Sequence, residues 1–215
     1  MDWDPVTHYK EAPVAQRYDR ERFSSIAGRT FNALERRTIR RAFGSVPRDA
    51  TVLDLPCGTG RFAEVLLDDG LTVIGADVSP AMLEVAKGKL SRFGDRFQTR
   101  VGNVHDLASK ERKTYDVALC ARVLMHFPLQ EQIAFLRGVA TLTRGMVVFT
   151  QSYDSGYQRL RRRIKRLLGN QPPANYPITE AQLQQLLTGA GLREVRRVRL
   201  LSLISEAIYV VAEPT

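Results

Sequence analysis

The sequence predicts an α/β protein built on a seven-stranded, mostly parallel sheet, with an antiparallel last strand and helices on both faces. Three observations carry this expectation. From Thr51 onward, short β-rich runs alternate with stretches of helical periodicity, the pattern of successive βα units. Val52 to Ala63 reads as a strand that enters a glycine loop and then a helix. The last two β-rich runs are separated only by the stretch around Ser202 to Ser205, too short for a helical crossover, so they are expected to pair antiparallel.

Taken in order, residues 14 to 43 place Ile26, Leu34, Ile39, Ala42 and Phe43 at near-helical spacing among many charges, which predicts one or two amphipathic helices. Strands are expected at Thr51 to Leu55, Leu71 to Ala76, Phe97 to Val101, Tyr115 to Cys120, Gly145 to Thr150, Leu192 to Leu200 and Ala207 to Ala212. Helices fit at about 60–69, 80–92, 129–141, 156–168 and 179–190. Two of these begin with clear start signals. Ser79-Pro80 offers an N-cap with proline at the first helical position, and Thr179 with Gln182 offers a capping box. Gly169 to Pro177, with Pro172 and Pro173, reads as a linker.

The chain has 215 residues, 44% of them hydrophobic and 26% charged, enough for one substantial core and too few for two ordinary domains. No apolar run approaches the roughly 20 residues of a membrane span, and Met1 to Pro5 lack the basic and apolar regions of a secretion signal, so a cytoplasmic protein is expected. Cys57 and Cys120 fall at strand ends without metal-ligand spacing; they read as reduced, buried thiols, and no metal is expected. The formal charge of +9 comes mainly from arginine. It fits an anionic partner, and it fits a merely basic, soluble surface equally well.

The glycine loop carries the chemistry. Gly58-x-Gly60-x-x-Ala63 lets the backbone turn tightly and present N–H groups to a ligand at a helix N-terminus, and taken alone it fits a nicotinamide dinucleotide as well as other nucleosides. Asp54 shifts the balance. A carboxylate at the end of the first strand repels a diphosphate and suits a ligand bearing an ammonium group. Asp77, on the neighbouring strand tip, is placed to accept both hydroxyls of a ribose; the competing reading is a turn residue that leads into the helix at Pro80.

Five ordered segments resemble one family: Asp54-Leu-Pro-Cys-Gly-Thr-Gly60, Ala76-Asp-Val-Ser-Pro-Ala-Met-Leu83, Gly102-Asn-Val-His-Asp-Leu107, Tyr115-Asp-Val117 and Leu124-Met-His-Phe127. Across about 50–212 they look like the class I S-adenosylmethionine-dependent methyltransferases, a Rossmann-like fold, and especially the small-molecule branch that includes ubiquinone and menaquinone biosynthesis enzymes. The resemblance implies that Asp54 with the loop Cys57, Gly58, Thr59 and Gly60 holds the methionine part of S-adenosyl-L-methionine. It implies that Asp77 holds the ribose, that Val78 and Met82 pack on adenine, and that Asn103 and Val104 lie at the adenine edge. The family usually has Asp where this chain has Asn103, whose amide oxygen can still accept a hydrogen bond from the adenine amino group. Asp116 reads as structural.

His126 follows the fourth strand at the carboxyl edge of the sheet and matches a histidine common in this branch. Methyl transfer needs alignment and, for many acceptors, removal of one proton, which a histidine can perform. A packing role for His126 stays open. In the N-terminal segment the likeness implies that Tyr18 covers the site and Arg29 pairs with the cofactor carboxylate; a plain surface-helix reading of both also stays open.

The domain organisation expected is an N-terminal helical lid over 1–48 and a methyltransferase domain over 49–215 with a basic helical insert at about 155–178. In that insert, residues 157–168 combine Leu160, Ile164, Leu167 and Leu168 at helical spacing with six basic residues between 159 and 166. Such a helix could meet an anionic or lipid-like small-molecule acceptor, touch a membrane surface, or bind RNA phosphates, although it lacks the aromatic platforms usual in RNA recognition. A solvated cationic face is the bland alternative. The expected activity is methyl transfer to a small or lipid-like acceptor. RNA methylation, nicotinamide-dependent oxidoreduction and cofactor binding without catalysis remain as rivals.

Overall fold

The computed structural model of the protein describes residues 24–154, 156, 159, 163, 167, 176–200 and 207–215. Tyr18, most of the predicted helix at 156–168, Gly169 to Asn175 of the predicted linker and the connection around Ser202 to Ser205 lie outside the described residues.

Helix α1 (Ile26–Phe43) comes first, with Ser25 as N-cap accepting from the Gly28 N–H at 3.0 Å and with Arg40 and Arg41 in the last turn, where cations favour the helix dipole. The remaining elements alternate: β1 (Thr51–Asp54), α2 (Arg61–Asp68), β2 (Thr72–Asp77), α3 (Pro80–Leu90), β3 (Phe97–Val101), α4 (Val104–Lys110), β4 (Tyr115–Cys120), α5 (Leu129–Leu142), β5 (Thr143–Ser152), α6 (Glu180–Ala190), β6 (Leu192–Arg199) and β7 (Ala207–Pro214). The N-caps expected at Ser79 and Thr179 are both present, the second as a complete capping box with Gln182.

The strands form one sheet in the order β3-β2-β1-β4-β5-β7-β6. The pairs from β3 across to β5 are parallel, and β7 lies antiparallel between β5 and β6. The fold is therefore the expected Rossmann-like α/β sheet closed by an antiparallel strand. The short connection after β6 forces β7 to double back, and β7 fills the slot beside β5.

Both faces of the sheet are covered, which explains why its strands read as nearly continuous apolar runs. Val52, Val73, Val117, Leu119, Val148 and Tyr209 pack on one side with Ile39 and Phe43 of α1 and Phe62, Val65 and Leu66 of α2. Leu53, Ile74, Ala118, Cys120, Val147 and Val210 pack on the other with α4, α5 and α6. Alternate residues of one strand thus serve two cores. Helix α1 contributes Ile39 and Ala42 at 0% exposure and packs on α2, β6 and β7, so it is an integral layer of the molecule.

Strands β5 and β7 are longer than the sequence suggests, and α4 was not expected at all. That helix is only seven residues long, with Val104 and Leu107 as its buried positions, too little for helical periodicity to register. Among the described residues no helix is long and apolar enough to cross a membrane.

Candidate functional site

The carboxyl ends of β1, β2 and β4 converge where the strand order reverses between β1 and β4, the place at which open α/β sheets bind ligands. The loop after β1 makes the floor of this corner. Gly58 and Gly60 have φ of +53° and +73°, and Gly60 serves as the N-cap of α2. Their surroundings differ. A Cβ on Gly60 would lie 2.6 Å from Leu90 Cδ1 of α3, whereas a Cβ on Gly58 would meet nothing within 4 Å. Gly60 is needed for packing, and Gly58 leaves open space above the loop. The loop is tied to β2 by the Cys57 N–H, which donates to the Ala76 carbonyl at 2.9 Å.

Two carboxylates occupy the tips of β1 and β2. Asp77, 6% exposed, is bonded on both oxygens: one accepts from the Gly58 N–H and the other from the Ser79 N–H, each at 2.9 Å. Burial nevertheless pushes its carboxyl upward. Asp54, 1% exposed, has no hydrogen-bond partner of normal geometry on either oxygen among the described residues. Burial, then the neighbouring Asp77 charge, push it to about 8, against the weaker opposing pull of Arg61 and the helix N–H of Ala63. A carboxyl held in this way is mostly neutral at pH 7 and is converted to a carboxylate by an incoming cation. Cys57 and Cys120 are free and buried, and burial raises both thiols, so neither is an activated nucleophile.

Met82 is buried under the site, where its N–H donates to the Ser79 hydroxyl at 3.3 Å, and Val78 is half-buried at the tip of β2. Asn103 is exposed and acts as N-cap of α4: its amide oxygen accepts from the His105 and Asp106 N–H groups at 2.9 and 3.0 Å. Both lone pairs of that oxygen are thereby used, which leaves the amide NH2 as the group this side chain offers outward. The side chain of Val104 packs in the core beneath α5, against Gly138. Thr59 is buried within the loop.

His126 ends a short 3₁₀ turn, Leu124–His126, just after β4, and is half-buried. Several bonds fix the turn. Gln132 of α5 donates to the Phe127 carbonyl at 2.7 Å and accepts from Gln151 of β5 at 2.5 Å, and the Tyr176 N–H donates to the Met125 carbonyl at 2.8 Å. Asp116 accepts from the Thr51 N–H at 2.9 Å across the far end of the sheet and is structural, as expected. Arg29 is exposed on the first turns of α1, its guanidinium donating to the Ser24 carbonyl at 2.6 Å.

Sequence reasoning missed one cluster beside the site. Glu35 of α1, 1% exposed, accepts from Arg61 at 2.8 Å on one oxygen, and from Arg122 at 3.0 Å and the Tyr209 hydroxyl at 3.2 Å on the other. Arg61 also donates to Asn32 at 2.9 Å and lies over the Phe62 ring. Two signals were available: an acidic residue on the apolar face of α1, and an arginine immediately after the glycine loop.

Residues 52–145 match a family model described as a methyltransferase domain. The ubiquinone biosynthesis O-methyltransferase of Nitrosospira multiformis is 34% identical over 101 residues, 46% of this chain and 41% of that protein. The chloroplastic magnesium protoporphyrin IX methyltransferase of Arabidopsis thaliana is 28% identical over 149 residues, 68% of this chain and 47% of that protein. The matched stretches thus span less than half the length of these curated relatives. Among solved structures, magnesium protoporphyrin IX methyltransferase from Synechocystis PCC 6803 with bound SAH superposes with a TM-score of 0.78 at 18% identity, covering 98% of both chains. The 1,6-didemethyltoxoflavin-N1-methyltransferase of Burkholderia thailandensis gives 0.67 at 20% identity over all of this chain and 92% of that one. Residues 52–145 thus match a methyltransferase domain, and the chain shares the fold of these methyltransferases along nearly its whole length.

Proposed function

We propose that the protein transfers a methyl group from S-adenosylmethionine to a small-molecule acceptor. The observation that carries this reading is Asp54, a buried carboxyl with two unpartnered oxygens beside a glycine loop whose Gly58 leaves open space. A dinucleotide would set a diphosphate near that carboxyl, whose ionised form repels it. A methionine tail sets an ammonium there, which satisfies it.

When bound, the cofactor supplies an electrophilic methyl group on a sulfonium. The chain's own residues then have separable tasks. Asp54 and the loop from Cys57 to Gly60 hold the amino-acid tail. Asp77, rigidified by the Gly58 and Ser79 N–H groups, accepts the ribose hydroxyls on its remaining lone pairs. Val78 and Met82 flank the base, and the Asn103 amide meets the adenine edge as a donor, since its oxygen is committed to the helix cap. His126, fixed on its turn by Gln132 and Tyr176, takes a proton from the acceptor. Arg29 is assigned to the carboxylate of the amino-acid tail.

The relatives are named for small molecules, magnesium protoporphyrin IX and 1,6-didemethyltoxoflavin among them, which supports an acceptor of that size. An anionic or lipid-like acceptor is supported by one exposed helical face, on which Arg159, Arg163 and Leu167 lie, Leu167 at 80% exposure. Incubation with radiolabelled S-adenosylmethionine and fractionated cell extract tests the proposal. Label is expected in a small-molecule or lipid fraction. Label in RNA or protein, or none in any fraction, would overturn it.

A further inference from the structure

The cluster on α1 is placed to control the cofactor corner from behind. Arg61 opens α2 directly after Gly60, so its cation lies next to the loop that separates it from Asp54. The guanidinium is bonded to α1, at 2.8 Å from Glu35 and 2.9 Å from Asn32, with side-chain exposures of 10% for Arg61 and 1% for Glu35. Asp54, meanwhile, has no hydrogen-bond partner of normal geometry among the described residues. Arg61 still acts on Asp54 electrostatically, drawing its carboxyl toward the ionised form, while the Glu35 carboxylate takes the guanidinium's hydrogen bond.

We propose that Glu35 is a positioning residue for cofactor recognition: by binding Arg61 it keeps Asp54 available to the ligand's ammonium group. This rests on the methionine-tail reading of Asp54 given above. Glu35 also holds Arg122 at the end of β4, whose own N–H is bound by the Thr150 hydroxyl at 2.6 Å. One carboxylate on α1 therefore holds both the cation that opens α2 and the cation that follows β4.

The test uses two ligands and two variants of the full chain. S-adenosylhomocysteine carries the amino-acid tail, and 5′-methylthioadenosine lacks it. In Glu35→Gln the freed Arg61 is expected to pair with Asp54. Affinity for S-adenosylhomocysteine then falls roughly tenfold, the scale of one charge-assisted hydrogen bond, while affinity for methylthioadenosine holds. Adding Arg61→Met removes the competitor and should restore most of the loss. Equal weakening of both ligands, or no recovery in the double variant, would show that Glu35 merely docks α1 and would overturn the inference. If the unaltered protein binds methylthioadenosine but gains nothing from the tail, the reading of Asp54 itself fails.

Discussion

The tips of β1 and β2 carry the same side chain at nearly the same depth, yet the two sites are built to opposite ends. Asp77 is satisfied by two backbone N–H groups and so stiffens the corner before any ligand arrives. Asp54 on the neighbouring strand has no hydrogen-bond partner of normal geometry among the described residues, at a cost in folding free energy that a proton or a cation relieves. The contrast teaches that one carboxylate is committed to architecture, and the other is left open by the fold for the ligand we propose.

The largest expected effect comes from breaking the architectural member. Asp77→Ala leaves the Gly58 and Ser79 N–H groups without acceptors. It should destabilise the protein by about 2–6 kcal/mol in urea unfolding, at about 1–3 kcal/mol for each unmet buried group, and abolish measurable S-adenosylhomocysteine binding. Asp54→Asn should do the reverse to stability while still weakening binding about tenfold or more. Its sign follows from linkage. The folded-state value of about 8 lies above the ordinary 3.8, so the folded protein holds a proton that the unfolded chain has lost between those two pH values. Stability in the unaltered protein therefore falls as pH rises from about 4 to about 8, and this slope should flatten in Asp54→Asn when urea midpoints are compared across that window.

Smaller effects separate the two glycines. Gly60→Ala combines a left-handed φ of +73° with a 2.6 Å approach to Leu90, and should cost about 2–4 kcal/mol of stability. Gly58→Ala carries only the backbone term, about 1–2 kcal/mol, but places a methyl group in the space above the loop, so its ligand affinity should suffer more than its stability. The smallest change is expected for Asn103→Ala, which removes the α4 cap at about 1 kcal/mol by thermal unfolding and weakens adenosine binding slightly.

The same contrast explains what was legible in the sequence. The parallel strands were readable because residues such as Val52-Leu53 and Val147-Val148 face two cores, so the apolar runs are unbroken, and Ser79 and Thr179 announced their helices by cap chemistry. Asp54, Gly58, Gly60 and Asp77 could be placed together because strand ends and loop spacing bring them to one corner. Whether a carboxylate there is bonded or left open depends on backbone N–H groups that no residue pattern reports. The Glu35 cluster was hidden for a related reason: its partner Tyr209 lies 174 residues away in sequence, and only the insertion of β7 between β5 and β6 brings them together. Asn103 was identified as a polar residue at the adenine edge, but its commitment to capping a seven-residue helix could not be read until that helix was seen.

The most direct test of the Asp54 account is calorimetric titration of S-adenosylhomocysteine at pH 7 in two buffers of different ionisation enthalpy. With Asp54 near 8, about nine-tenths of the free protein carries that proton, so binding should release close to one proton per ligand, and Asp54→Asn should release none. Binding without proton release in the unaltered protein, or a preference for a nicotinamide dinucleotide at the same corner, would contradict it.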